Sequence, residues 1–96
     1  MALETKLFDV AEVLSDDARI AAYLEEAFAD GDPAFIASAI GDVARARNIT
    51  AIARDTGLTR ETLYRAFAPG GNPTLATMAA VVKALGYQLS IRPLTT

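Results

Sequence analysis

The residues with chemistry to offer gather between Ile49 and Phe67, where Arg60, Glu61, Thr62, Tyr64 and Arg65 are interleaved with Leu63, Ala66 and Phe67. If this stretch is helical, Leu63 and Phe67 share one face and the polar residues point the other way. Arginine is the usual bidentate reader of guanine in the major groove, and glutamate can accept from the cytosine amino group. Arg60 and Glu61 would stand at the N-terminal end of the helix, the part of a recognition helix that reaches base edges. The hydroxyls of Thr62 and Tyr64 suit phosphate oxygens. Each residue alone would also fit an ordinary solvated helix face. The set favours nucleic acid.

Such a helix has to be positioned by the one before it. Ile49, Ile52 and Ala53 give that preceding helix its apolar face. Gly57-Leu58-Thr59 then forms the turn. Glycine fits where the chain must adopt a left-handed conformation, Leu58 drops between the helices, and Thr59 is a good N-cap. Ala53, four residues before Gly57, keeps the crossing tight. The spacing is that of a DNA-binding helix-turn-helix over residues 49–67, although an αα-corner could share it.

Composition narrows the alternatives. The 96 residues make one small domain, and 52% hydrophobic content makes it globular. There is no cysteine and no histidine, so zinc and most transition metals lose their usual ligands, and catalysis loses its commonest acid–base group and its best nucleophile pairs. No metal, cofactor or enzymatic activity is expected. The pairs Asp16-Asp17 and Glu25-Glu26 point about 100° apart on a helix, so they read as capping and solvation and not as acid–base couples. No apolar run approaches the roughly 20 residues of a membrane span, and the N-terminus lacks a signal peptide's apolar core. The expectation is a cytoplasmic, nucleoid-associated protein.

A net charge of −3 runs against DNA binding until it is divided. Residues 1–42 hold two basic against ten acidic residues, a net of −8, whereas residues 43–96 hold seven against two, a net of +5. The basic half suits phosphate and the acidic half a basic partner, or simply solubility.

The expected fold class is all-α, a bundle of about five to six helices with one C-terminal β-strand. Residues 1–8 read as a flexible leader, 9–92 as the domain and 93–96 as a tail. Asp9 would cap a short turn over Val10–Leu14, and Ser15 a helix carrying Ile20, Leu24, Ala27 and Phe28 on its apolar stripe, ended by Gly31. Asp32-Pro33 opens the next helix, which buries Ile36, Ala39, Ile40 and Val43 and closes near Asn48. The Pro69–Pro73 loop has no Lys-Ser/Thr after its Gly-Gly, so it is no nucleotide loop. Gly71 and Asn72 could offer backbone N–H groups to a DNA phosphate, or the loop could equally be a plain connector. Thr74 caps a last helix with Leu75, Met78, Ala79, Val82 and Leu85 at core spacing.

The segment 87–92 alternates apolar and polar residues as a strand does. A lone strand leaves its backbone groups unpaired, and the economical partner is the same strand of a second copy. Tyr87, Leu89 and Ile91 are then dimerisation residues. The alternative is a tail packed on the monomer through Leu89 and Ile91.

The succession FDVAEVL, DDARIAAYLEEAF, DGDPAFIASAIGDVARARN, ARDTGLTRETLYRAF, GGNPTLATM and VVKALGYQLSI resembles one family over about residues 8–92. It is the helix-turn-helix antidote (antitoxin) family of bacterial type II toxin–antitoxin modules, of the HigA-like kind. The resemblance implies a Cro/λ-repressor-like fold, dimerisation, repression of the chain's own operon, and neutralisation of a RelE/ParE-like toxin. It places the DNA-reading positions on Thr59 to Arg65 and phosphate contacts near Thr50 and Gly71-Asn72. Ile49-Thr50-Ala51 departs from the more polar helix start usual in that fold, so a contact there rests on Thr50 alone. The toxins of such modules are typically basic, which gives the acidic half a partner. A stand-alone helix-turn-helix regulator with no toxin partner is the alternative, as is an interaction module that has lost DNA.

Overall fold

The computed structural model describes residues 16–95, which carry five helices and no strand. The expected leader, the Asp9 cap, the Val10–Leu14 turn and Ser15 itself lie outside the described residues, and the capping role expected of Ser15 is taken by Asp16, a residue expected inside the first turn. Helix α1 spans Asp17–Asp30, and its N-cap is Asp16, whose carboxylate accepts from the Ala18 N–H at 3.1 Å. Gly31 at φ 84° ends it. Helix α2, Pro33–Arg47, starts from Asp32, which accepts from the Ala34 N–H, with proline at its first position where the missing N–H costs nothing.

Asn48 serves two helices. It closes α2 through its own N–H, and its Oδ1 accepts from the N–H groups of Thr50 and Ala51 at 3.1 and 3.2 Å to open α3, Ile49–Thr56. Gly57 takes φ 77° and donates to Ala53 O at 2.9 Å, as the turn requires. Thr59 caps α4, Arg60–Ala66, by accepting from the Thr62 N–H at 3.0 Å. Helix α5, Leu75–Ala84, starts at the Thr74 cap.

The core joins all five helices through Ile20, Leu24 and Ala27 of α1, Ala39, Ile40 and Val43 of α2, Ile52, Leu63 and Phe67, and Val81, Val82 and Leu85. Three expected core positions differ. Phe28 and Leu75 are exposed, as is Ala79, while Val81 is fully buried in its place. Val82 and Leu85 stay buried and Met78 half-buried as expected, so the inward face of α5 widens to take in Val81.

The expected strand at 87–92 is absent. Leu85, Gly86 and Tyr87 instead finish α5: Gly86 at φ 95° donates to Lys83 O at 2.9 Å, and Tyr87 N–H donates to Val82 O at 3.0 Å. This is the paired bonding of a Schellman motif, in which a glycine just past the helix lets the chain fold back over the last carbonyls. The Tyr87 N–H is thereby engaged and cannot join a ladder. Tyr87 and Leu89 pack half-buried against the core, and Ile91 stands clear of it. In the single chain, residues 87–95 are therefore an irregular tail anchored at two points.

Candidate nucleic-acid interface

Helix α4 is short, and its orientation is fixed from both ends. Thr59 caps its start, Leu63 is 1% exposed beneath it, and Phe67 at its end is buried against α2. Leucine and phenylalanine four residues apart lie one above the other on a helix. Everything between them that is polar must face out. Arg60, Glu61, Tyr64 and Arg65 accordingly line one shallow, open concavity on the outer surface.

Within it the charges are loosely held. Arg65 Nη1 lies 3.9 Å from Glu61 Oε2 with both side chains well exposed, an arrangement that contributes little to stability. Arg60 Nη1 donates to Thr50 Oγ1 at 3.2 Å across the turn, which brings the start of α3 to the start of α4. Thr59 O–H donates to Thr62 Oγ1 at 2.8 Å, so Thr59 is occupied as the cap while the Thr62 hydroxyl keeps its own proton to give. Thr50, Arg60, Glu61, Tyr64 and Arg65 thus form one surface, with Thr59 and Thr62 at its edge. On the neighbouring α3, Arg54 is also exposed and pairs with Asp55 at 3.4 Å.

Gly71 and Asn72 belong elsewhere. The Gly71 N–H donates to Ala68 O at 2.7 Å, so it closes the loop's own turn. A Cβ at Gly71 would run into the carbonyl of Ala66 and come within 2.6 Å of that of Arg65. This glycine is there because the loop passes tightly over the end of α4. Both residues line a second, apolar groove with Phe28 and Leu75 and not the α4 concavity. The dimerisation residues Tyr87 and Leu89 sit against the core, and Ile91 projects from it.

Two supporting roles escaped the sequence, that of Gly41 and that of Asn48 in opening α3 as well as closing α2. Gly41 in the middle of α2 is where Phe67 is received, since a Cβ there would lie 2.8 Å from the Phe67 Cβ. Asn48 aligns α3. The signal for each was a lone small or polar residue inside an apolar periodic run, which local propensity does not explain.

The α1–α2 side is built differently. Tyr23 O–H donates to Asp42 Oδ2 at 2.9 Å, and Asp42 Oδ1 takes Arg45 Nη2 at 2.7 Å. Burial, followed by the hydrogen bond to Asp42 and its negative charge, pushes the Tyr23 hydroxyl up to about 12. Arg47 Nη2 reaches Asp17 Oδ1 at 3.3 Å from the far end of α2. Among the described residues no group of three or more His, Cys, Asp or Glu stands where it could hold a metal ion, and no helix is long and apolar enough to cross a membrane.

Comparison with known proteins gives the family. The family model for a "probable addiction module antidote protein" matches residues 4–93. An uncharacterized protein of Haemophilus influenzae is 47% identical over 92 residues, covering 96% of this chain and 95% of its own length. No solved structure matches. The match spans nearly the whole chain, including α4 and the tail, and the chain therefore belongs to the addiction module antidote family, whose name implies a toxin partner.

Proposed function

We propose that this chain is a HigA-like antitoxin that binds operator DNA through a Cro-like helix-turn-helix formed by α3 and α4, represses its own operon, and neutralises a RelE/ParE-like toxin. The observation that carries the DNA reading is the outer face of α4. Leu63 and Phe67 hold the helix, and Arg60, Glu61, Tyr64 and Arg65 are left together on the outside with no strong partner among the described residues. Arg60 and Glu61, in the first turn, meet base edges; Arg65 and Tyr64, one turn on, meet bases or phosphates. Thr50 and the Thr62 hydroxyl take phosphates at the margin, and Asn72, exposed on the loop, contacts backbone beyond the end of α4.

The chain acts as a homodimer, because a helix of this kind reads two half-sites about one helical turn apart. A DNA-bound repressor of this sort works in the cytoplasm, at the nucleoid. The toxin is basic and is met by the acidic side of the molecule, where Asp16, Asp17, Glu25, Glu26, Asp30 and Asp32 are all exposed.

The test is a fluorescence-anisotropy titration of DNA taken from immediately upstream of the chain's own reading frame. A scrambled duplex competes, at two salt concentrations. Tight binding that falls with salt and resists the scrambled competitor supports the autorepressor, because counterion release makes phosphate contacts salt-dependent. Equal binding to both duplexes sinks it and leaves α4 as scaffold. A small basic reading frame beside this one, whose product co-purifies with the chain, separates an antitoxin from a stand-alone regulator.

A further inference from the structure

Five large apolar side chains stand exposed among the described residues, and one of them, Tyr64, belongs to the face of α4. The other four are Phe28 at 41%, Leu75 at 74%, Ile91 at 96% and Leu94 at 93%. Single exposed hydrophobics are ordinary. Two of these four share a groove, and the other two sit on the tail that leaves from its lining residue Leu89. Phe28 and Leu75 line one groove of about 420 Å³ together with Met78 and Leu89. Leu89 is also the point from which the tail leaves the core, carrying Ile91 and Leu94 outward. A groove and a projecting apolar tail on the same surface mark an interaction site.

Charge says what fills it. Arg92 lies between Ile91 and Leu94, is exposed, and makes no ion pair among the described residues. Asp30 and Asp32 are exposed on the turn between Phe28 and the groove residue Pro33, and they too make no ion pair among the described residues. The tail thus offers two apolar side chains and a cation, and the groove offers an apolar cleft beside two carboxylates. One chain holds both halves of a matching contact, which is what a two-fold interface needs: each copy gives its tail and receives the other's.

We propose that two copies pair about a two-fold axis with the Ile91–Leu94 tail of each seated in the Phe28–Leu75 groove of the other, Arg92 set against Asp30 and Asp32. This rests on the homodimer proposed above and replaces a strand ladder with exchanged tails. The groove shares no lining residue with the α4 concavity, so pairing here leaves the α4 face of each copy uncovered; of the proposed DNA contacts, Asn72 alone also lines the groove.

The experiment is sedimentation velocity on the full chain, on Phe28→Asp, on Leu94→Asp, and on an equimolar mixture of the two variants with one of them labelled. Both sites are exposed, and an unchanged helical circular-dichroism spectrum checks that the fold is intact. The wild type is expected to be dimeric, and each variant to weaken the dimer about tenfold or more, because a charge cannot enter an apolar cleft without loss. The mixture is expected to regain mixed dimers, since an intact tail then meets an intact groove once per pair. Independently, Arg92→Asp should weaken the dimer and Asp30→Arg in the same chain should restore it.

A dimer that neither substitution disturbs would overturn the exchanged tails while leaving the homodimer standing, and the groove would pass to another protein such as the toxin. Two weakened variants whose mixture is no better than either alone would also overturn it. A wild-type chain that is monomeric throughout would overturn the homodimer with it.

Discussion

Between α1 and α2, polar side chains are tied to one another: Tyr23 to Asp42, Asp42 to Arg45, and Arg47 back to Asp17. On α3 and α4 the polar side chains lean outward, and their contacts with one another among the described residues are loose or local, such as the long Arg65–Glu61 pair and the Arg60–Thr50 hydrogen bond. Both helix pairs rest on the same core. The difference lies in what their charged groups are for. Groups satisfied inside the chain set the angle between two helices, and exposed pairs among them contribute little energy. Groups held out on a rigid helix with weak partners can exchange those partners for DNA at little cost.

The largest effect is expected at the core beneath α4. Leu63→Ala should cost about 2–5 kcal/mol of stability, the usual range for truncating a fully buried leucine. Thermal melting should show the loss, and operator binding should vanish with the fold. An unchanged melting temperature would mean that α4 is not seated as described. Next comes Gly41→Ala, in which the new methyl must push on Phe67, whose Cβ would lie 2.8 Å away. Overpacking of this kind costs about 1–3 kcal/mol, offset by about 0.5–1 kcal/mol from replacing a mid-helix glycine. The net should be a lower melting temperature, with α4 loosened at its C-terminal end.

Arg60→Ala and Arg65→Ala separate surface from scaffold. Each should leave the melting temperature unchanged within about 0.5 kcal/mol, as exposed substitutions usually do. Each should cost about 1–3 kcal/mol of operator affinity if its guanidinium reads a base. A loss shared equally by operator and scrambled DNA would make the contact one to phosphate, and no loss on either would remove α4 from the interface.

How far the sequence reached depended on whether a feature is local. The Gly57 turn, the Thr59 cap and the inward Leu63 follow from backbone rules that act within a few residues, and each stands where the spacing puts it. In α5 the apolar residues run nearly all round, LATMAAVVKA, so periodicity could not choose a face. Packing of the other helices chose Val81 over Ala79. The tail alternates as a strand would, yet its first residue is taken by the end of α5, a contest between two local patterns that helix capping won. Gly71 reads equally as a DNA-phosphate contact and as a plain connector, because Gly-Gly serves both flexible connectors and close backbone approach. Only the neighbouring carbonyls of Arg65 and Ala66 distinguish the two.

Tyr23 gives the smallest effect and the most specific one for the α1–α2 side. Tyr23→Phe removes one hydrogen bond to Asp42 and leaves Asp42 paired with Arg45, so stability should fall by about 0.5–1.5 kcal/mol and operator binding should not change. The alkaline limb carries the signature. The hydroxyl ionises near 10.0 when unfolded and is held up to about 12 in the fold, so between those values the folded chain keeps a proton that the unfolded chain has lost. That contribution is fully present below pH 10.0 and is lost as the pH rises through about 12. Melting temperature should therefore drop across this window in the wild type and drop less in Tyr23→Phe. If the two chains decline in parallel, the phenol is not held between α1 and α2, and the contrast between tied and open polar groups loses its firmest example.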